Sequence, residues 1–146
     1  MSTPPPPDAV VHVVDDDASV RKALARALKA EGWAVSAFPS AEEFIQGARR
    51  DVPGCLVLDV RMPGLSGLEL QELLTWHHFE LPFIFMTGHG DIPMTAKAMK
   101  AGAVDFLPKP VSDQRLLQAV EDAVTTHFMK TAVRRVDRVS SLASLS

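Results

Sequence analysis

The sequence predicts a doubly wound α/β domain, a five-stranded parallel sheet flanked by five helices. Three observations carry that expectation. Short apolar runs rich in Val, Ile and Leu recur at Val10–Val14, Ala34–Phe38, Cys55–Leu58, Pro82–Met86 and Val104–Leu107. Segments with helical spacing separate them, and the runs start about 20–27 residues apart, the period of successive strand–helix units. The first, third and fourth runs are apolar at consecutive positions, as strands covered by helices on both faces should be.

The elements follow in order along 146 residues. Residues 1–8 include four consecutive prolines and are expected to be extended and disordered, since they offer few donors and little packing surface. Residues 9–130 form the expected domain. Its first helix, Ala18–Glu31, turns Leu24, Ala27 and Leu28 inward and stops at Gly32. The second, Ser40–Arg49, opens with Ser40 and Glu43 in capping-box spacing. Pro53–Gly54 and Pro63–Gly64 mark turns around the third strand. The third helix, Ser66–Trp76, turns Leu68, Leu73 and Leu74 inward. Ile92–Ala101 is the fourth helix, stopped by Gly102, and Ser112–Lys130 is the fifth. Residues 131–146 lose apolar periodicity and become basic, then Ser-rich, so they read as a helix extension or linker.

Composition narrows the function classes. The chain is 47% hydrophobic and 23% charged, an ordinary globular balance. No apolar run approaches the roughly 20 residues that span a bilayer. The N-terminus lacks the apolar segment of a secretory signal, so a cytoplasmic protein with no membrane contact is expected. The single cysteine, Cys55, precludes an internal disulfide and a cysteine-based metal site; it reads as a small buried hydrophobe. His12, His77, His78, His89 and His127 include no pair at i, i+4 spacing. The net charge is −3, with +3 in residues 129–146 and −6 in the remainder. An acidic body argues against the body itself binding nucleic acid.

Functional groups of an open parallel sheet gather beyond the carboxyl ends of its strands. There the sequence places Asp15, Asp16 and Asp17 after the first strand, Asp59 after the third, Thr87 after the fourth and Lys109–Pro110 after the fifth. Carboxylates so close repel one another unless a cation neutralises them, and donors that are all hard oxygens favour Mg²⁺ over Zn²⁺. A carboxylate beside Mg²⁺ can accept a phosphoryl group, while Lys109 supplies a point charge and Thr87 a hydroxyl donor for its oxygens. Each residue also has a plainer reading. Asp17 and Ser19 suit a helix cap, Lys109 a solvated loop, Phe106 the core, and Met86, Met94 and Met99 packing.

The segments V-V-D-D-D, L-V-L-D-V-R-M-P-G-L-S-G, F-M-T-G-H-G-D and D-F-L-P-K-P resemble the motifs of response-regulator receiver domains of two-component systems. The resemblance runs from Val10 to about Phe128, and T-G-H-G-D-I-P-M with A-M-K-A-G-A-V-D-F-L-P-K-P is most similar to FixJ-type regulators, whose receivers precede a LuxR-type helix-turn-helix domain. It implies the flavodoxin-like strand order 2-1-3-4-5 and a phospho-acceptor at Asp59. It further implies Mg²⁺ held directly by Asp16, Asp59 and the Arg61 carbonyl, with Asp15 acting through a water. Thr87 and Lys109 would contact the phosphoryl group, Phe106 would be an aromatic switch, and the Lys109–Pro110 bond would be cis. Arg61 and His89 would tune hydrolysis from the pocket rim. A sensor histidine kinase would be the donor. Phosphorylation would promote homodimerisation through Ile92–Ala101, Val104–Leu107 and Ser112–Lys130, with Met99, Lys100 and Asp105 as members. DNA would be reached only through an effector domain outside this chain.

Three alternatives stand beside that reading. A free-standing receiver would act by protein contact alone. A haloacid-dehalogenase-like phosphatase needs an acidic residue two after its nucleophile, where this chain has Arg61. A flavodoxin-like cofactor binder needs a Gly-, Ser- or Thr-rich loop after its first strand, where this chain has Asp15–Asp17.

Overall fold

The computed structural model describes residues 5–48, 52–60, 69, 72, 81–88, 92–100 and 102–127. Five strands, β1 (Val10–Val14), β2 (Ala34–Phe38), β3 (Gly54–Asp59), β4 (Phe83–Thr87) and β5 (Asp105–Pro108), form one parallel sheet in the order β2-β1-β3-β4-β5. Helices α1 (Ala18–Ala30), α2 (Ala41–Gly47), α3 (Ile92–Lys100) and α4 (residues 113–127) accompany them. Of the expected helix Ser66–Trp76, Glu69 and Glu72 are helical and the rest lies outside the described residues, as does everything after residue 127. Pro7 and Asp8 form a turn, closed by the Ala9 amide donating to the Pro6 carbonyl at 3.1 Å.

The sheet divides the core in two because alternate side chains face opposite ways. Val11, Val13, Val57, Ile84, Met86 and Leu107 pack under α1 (Leu24, Leu28) and α4 (Leu116, Val120, Val124). Val14, Leu56, Leu58 and Phe85 pack on the other side with Ala41 and Phe44 of α2. All six residues of β3 are buried, which is why its sequence shows no alternation. Cys55 sits inside the first core, and burial pushes its thiol up to about 12, so it is an inert packing residue.

Local signals hold α1 and α2 in place. The Asp17 carboxylate caps α1, and at the other end Gly32 (φ +90°) and Trp33 donate to the Lys29 and Leu28 carbonyls at 3.0 and 3.1 Å. Ser40 caps α2 by accepting the Glu43 amide at 3.2 Å. That helix ends at Gly47, because Ala48 is already extended.

Several strand bounds differ from the sequence expectation by one residue. The third and fourth strands run on to Asp59 and Thr87, and the fifth to Pro108, because ladder hydrogen bonds such as Val60 N–H to the Met86 carbonyl (3.0 Å) continue past the last apolar residue. Gly54 is the first residue of β3, paired with Val10, where a turn was expected. Its φ is +152°, and a Cβ there would collide with the Val10 carbonyl oxygen. Only glycine lets the two strands meet so closely.

Candidate phosphoryl-acceptor site

The parallel order brings the carboxyl ends of β1, β3, β4 and β5 to one edge of the sheet. Asp15 follows β1 and extends its ladder by one bond, its amide donating to the Phe38 carbonyl at 3.2 Å. The residue is fully buried. One carboxylate oxygen accepts the Asp17 amide at 2.9 Å; the other accepts from Lys109 Nζ at 2.9 Å. Asp59 ends β3 with 8% of its surface exposed, and its Oδ2 accepts from the same Lys109 Nζ at 2.8 Å. Asp16 is exposed, yet one of its carboxylate oxygens lies with those of Asp15 and Asp59 inside a 4.8 Å group.

Lys109 therefore bridges two buried acids. Burial works against its charge, but hydrogen bonds and attraction from Asp59 and Asp15 prevail and raise its pKa above the ordinary lysine value. Its position depends on main-chain bonding as well. The Lys109 amide donates to the Thr87 carbonyl at 2.7 Å, and the Lys109–Pro110 peptide bond is cis. Thr87 itself is buried at the end of β4.

The other expected residues fall into three groups. Asp17 stands apart from the acidic trio as a helix cap: its Oδ1 accepts the Ser19 hydroxyl at 2.6 Å and amide at 2.9 Å, and the Val20 amide at 3.4 Å. The Ser19 hydroxyl, then the two amides, hold its carboxyl below the ordinary value. Phe106 is half-buried on the edge strand, opposite Phe85, and Asp105 accepts its amide at 2.8 Å. Arg115 of α4 grips that Asp105 carboxylate with two bonds, at 3.0 and 3.2 Å. Met99 (42% exposed) and Lys100 end α3 at the surface. Arg61 and His89 lie outside the described residues.

Two features lie outside the sequence expectations. Arg21, one turn into α1, donates from Nη1 to the Asp15 carbonyl at 2.7 Å. Its spacing of four from the cap Asp17 was the available signal. A cleft of about 570 Å³ opens beside Lys109, lined by Ser19, Val20, Ala23, Leu24, Gly88, Pro110 and Val111. No single motif announces it, because its walls come from distant segments.

The donor set fits a hard divalent cation. Every candidate ligand is a carboxylate oxygen, three of them converge within 4.8 Å, and no sulfur or imidazole competes among the described residues. A phosphoryl oxygen placed at Asp59 would meet the Lys109 ammonium, which already touches that carboxylate.

The sequence and the fold also resemble those of known proteins. A sequence model described as the response regulator receiver domain matches residues 11–121. Nodulation protein W of Bradyrhizobium diazoefficiens is 50% identical over 137 residues, covering 94% of this chain and 60% of that protein. Transcriptional regulatory protein FixJ of the same organism is 44% identical, covering 93% of this chain and 67% of its own length. The crystal structure of FixJ-N superimposes with a TM-score of 0.72 at 46% identity, covering 81% of this chain and 94% of that one. The chain spans about half to two thirds of the length of the curated relatives it matches.

Proposed function

This chain belongs to the response regulator receiver domain family, and from that premise we propose that it stores a signal as an aspartyl phosphate on Asp59. The observation that carries the proposal is Lys109 Nζ, held at 2.8 Å from Asp59 and 2.9 Å from Asp15, with Asp16 beside them. The donor is a phosphohistidine of a sensor histidine kinase. An Asp59 oxygen attacks phosphorus, the P–N bond breaks, and its electron pair stays on the imidazole nitrogen. With the other ring nitrogen protonated, the imidazole leaves neutral. The product is an acyl phosphate that water can later hydrolyse.

Asp15, Asp16, Asp59 and the Arg61 carbonyl would hold Mg²⁺, Asp15 through a water. The ion would neutralise the acids and the incoming phosphoryl charge. Lys109 pairs with a phosphoryl oxygen, and the Thr87 hydroxyl donates to another. Arg61 and His89 would set the access of hydrolytic water. Phe106 moves inward as Thr87 turns toward the phosphate, and the face carrying Met99, Lys100 and Asp105 then pairs with a second copy. Residues 9–130 are the receiver and 131–146 a linker. In the whole protein, acting in the cytoplasm, a helix-turn-helix domain would carry the signal to DNA.

The family is one of signalling proteins, and the chemistry of this chain is the receiver's own phosphorylation and dephosphorylation. The decisive experiment treats the protein with a small phosphodonor and Mg²⁺, following mass and size together. Uptake of one phosphoryl group, lost in Asp59→Asn, supports the proposal. No uptake, or uptake that survives in Asp59→Asn, would sink it. Uptake without dimerisation removes only the interface.

A further inference from the structure

We infer that Arg21 is a positioning residue for the metal-binding acids, acting through the backbone of the Asp15–Asp16–Asp17 loop. The inference rests on the phospho-receiver reading above and concerns a residue that reading does not use.

Asp15 and Asp59 have partners of their own. Asp15 is pinned by Lys109 and the Asp17 amide, and Asp59 by Lys109. Asp16 is different. It is exposed, and its side chain has no hydrogen-bond partner among the described residues, although its carboxylate belongs to the trio. An unsupported carboxylate samples several rotamers, and each ligand that must be ordered on binding weakens affinity. Its aim therefore comes from the main chain.

The two peptide groups that flank Asp16 are both held. Arg21 Nη1 donates at 2.7 Å to the Asp15 carbonyl, which fixes the plane of the Asp15–Asp16 peptide. The Asp17 amide donates at 2.9 Å to the Asp15 carboxylate, which fixes the plane of the Asp16–Asp17 peptide. With both planes set, the Cα–Cβ direction of Asp16 follows. Arg21 is itself anchored, since its amide donates to the Asp17 carbonyl at 3.1 Å within α1. A guanidinium suits this task because it stays charged and is planar, so its direction is defined.

The sign of the effect separates positioning from plain electrostatics. Arg21 brings a positive charge near a cation site. If charge were all that mattered, removing it would relieve repulsion and tighten Mg²⁺ binding. If Arg21 aims Asp16, removing it loosens the ligand and weakens Mg²⁺ binding.

The test is calorimetric titration of Mg²⁺ into the wild type, Arg21→Met and Arg21→Lys. Methionine keeps most of the apolar stem, and lysine keeps the charge and one donor. The expected result is an Mg²⁺ Kd about tenfold higher in Arg21→Met, the low end for residues that support a metal ligand. Arg21→Lys should recover part of the loss. In phosphodonor assays the Mg²⁺ concentration for half-maximal uptake should rise in parallel, with the rate at saturating Mg²⁺ unchanged. Equal or tighter Mg²⁺ binding in Arg21→Met overturns the inference. If Arg21→Met fails to fold, Arg21→Lys decides: wild-type affinity there would overturn it, and weaker binding sustains it. A wild type that binds no Mg²⁺ would overturn the phospho-receiver reading along with it.

Discussion

Lys109 Nζ lies 2.8 Å from Asp59 Oδ2, so the proposed acceptor is ion-paired before any phosphoryl group arrives. The same ammonium reaches Asp15 at 2.9 Å, and one cation thus serves two buried acids. Removing it would take this ion pair from both. Lys109→Met should therefore lower stability at pH 7 without Mg²⁺ by about 2 kcal/mol, the usual cost of breaking a largely buried charged bond. Urea unfolding with and without Mg²⁺ checks this. The loss should shrink when Mg²⁺ is added, and a variant as stable as the wild type in metal-free buffer would contradict the idea.

His12 gives the fold a titration of its own. Its ring is buried on β1, with centroids 5.4 Å from Phe44 and 6.3 Å from Phe38, and neither ring nitrogen has a hydrogen-bond partner among the described residues. Burial lowers its pKa from 6.5 to about 4. The folded chain therefore binds this proton more weakly than the unfolded chain. Stability is fully present above about pH 6.5 and is lost as pH falls toward 4. Between pH 7 and 5 the loss should be about 2 kcal/mol. Denaturant midpoints at the two values for wild type and His12→Leu measure it, and an equal pH dependence in both would remove His12 as the cause.

Gly54→Ala should be far costlier than Gly32→Ala. At position 54 a Cβ collides with the Val10 carbonyl oxygen, so β1 and β3 must separate. At position 32 the nearest side-chain atom to a Cβ is 3.7 Å away, and only the left-handed backbone resists. The expected losses are at least about 3 kcal/mol for Gly54→Ala and about 1 kcal/mol for Gly32→Ala. Thermal unfolding of both variants should rank them in that order, and similar midpoints would refute the packing argument.

The parts of this molecule that were legible in its sequence share a physical cause. Runs such as Val10–Val14 and Cys55–Leu58 declare themselves because a strand buried on both faces cannot carry polar residues freely. Asp15 and Asp59 stand out for the opposite reason, as charges placed where solvation is poor. Strand ends were less legible. Asp59 and Thr87 are polar, yet ladder hydrogen bonds carry β3 and β4 through them. Gly54 looked like a turn beside Pro53, when what it serves is the approach of two backbones. Arg21 was hidden because its partner is a main-chain carbonyl, a group every residue has. His12 was hidden inside an apolar run, its polarity outweighed by its neighbours.

One consequence of the short main-chain bond at the end of β5 is mechanical. Asp59 is tied to Lys109 through the side chain, Lys109 to Thr87 through its amide at 2.7 Å, and the neighbouring Met86 carbonyl accepts the Val60 amide at 3.0 Å. These bonds and the chain between them close a loop, as the struts of a truss do. In such a frame a load applied at one corner is shared by all, and no strut can be weakened alone. Substitutions at Asp59 and Lys109, which remove the same side-chain strut, should accordingly fail to add, while the main-chain struts keep the strand edge a single stiff part.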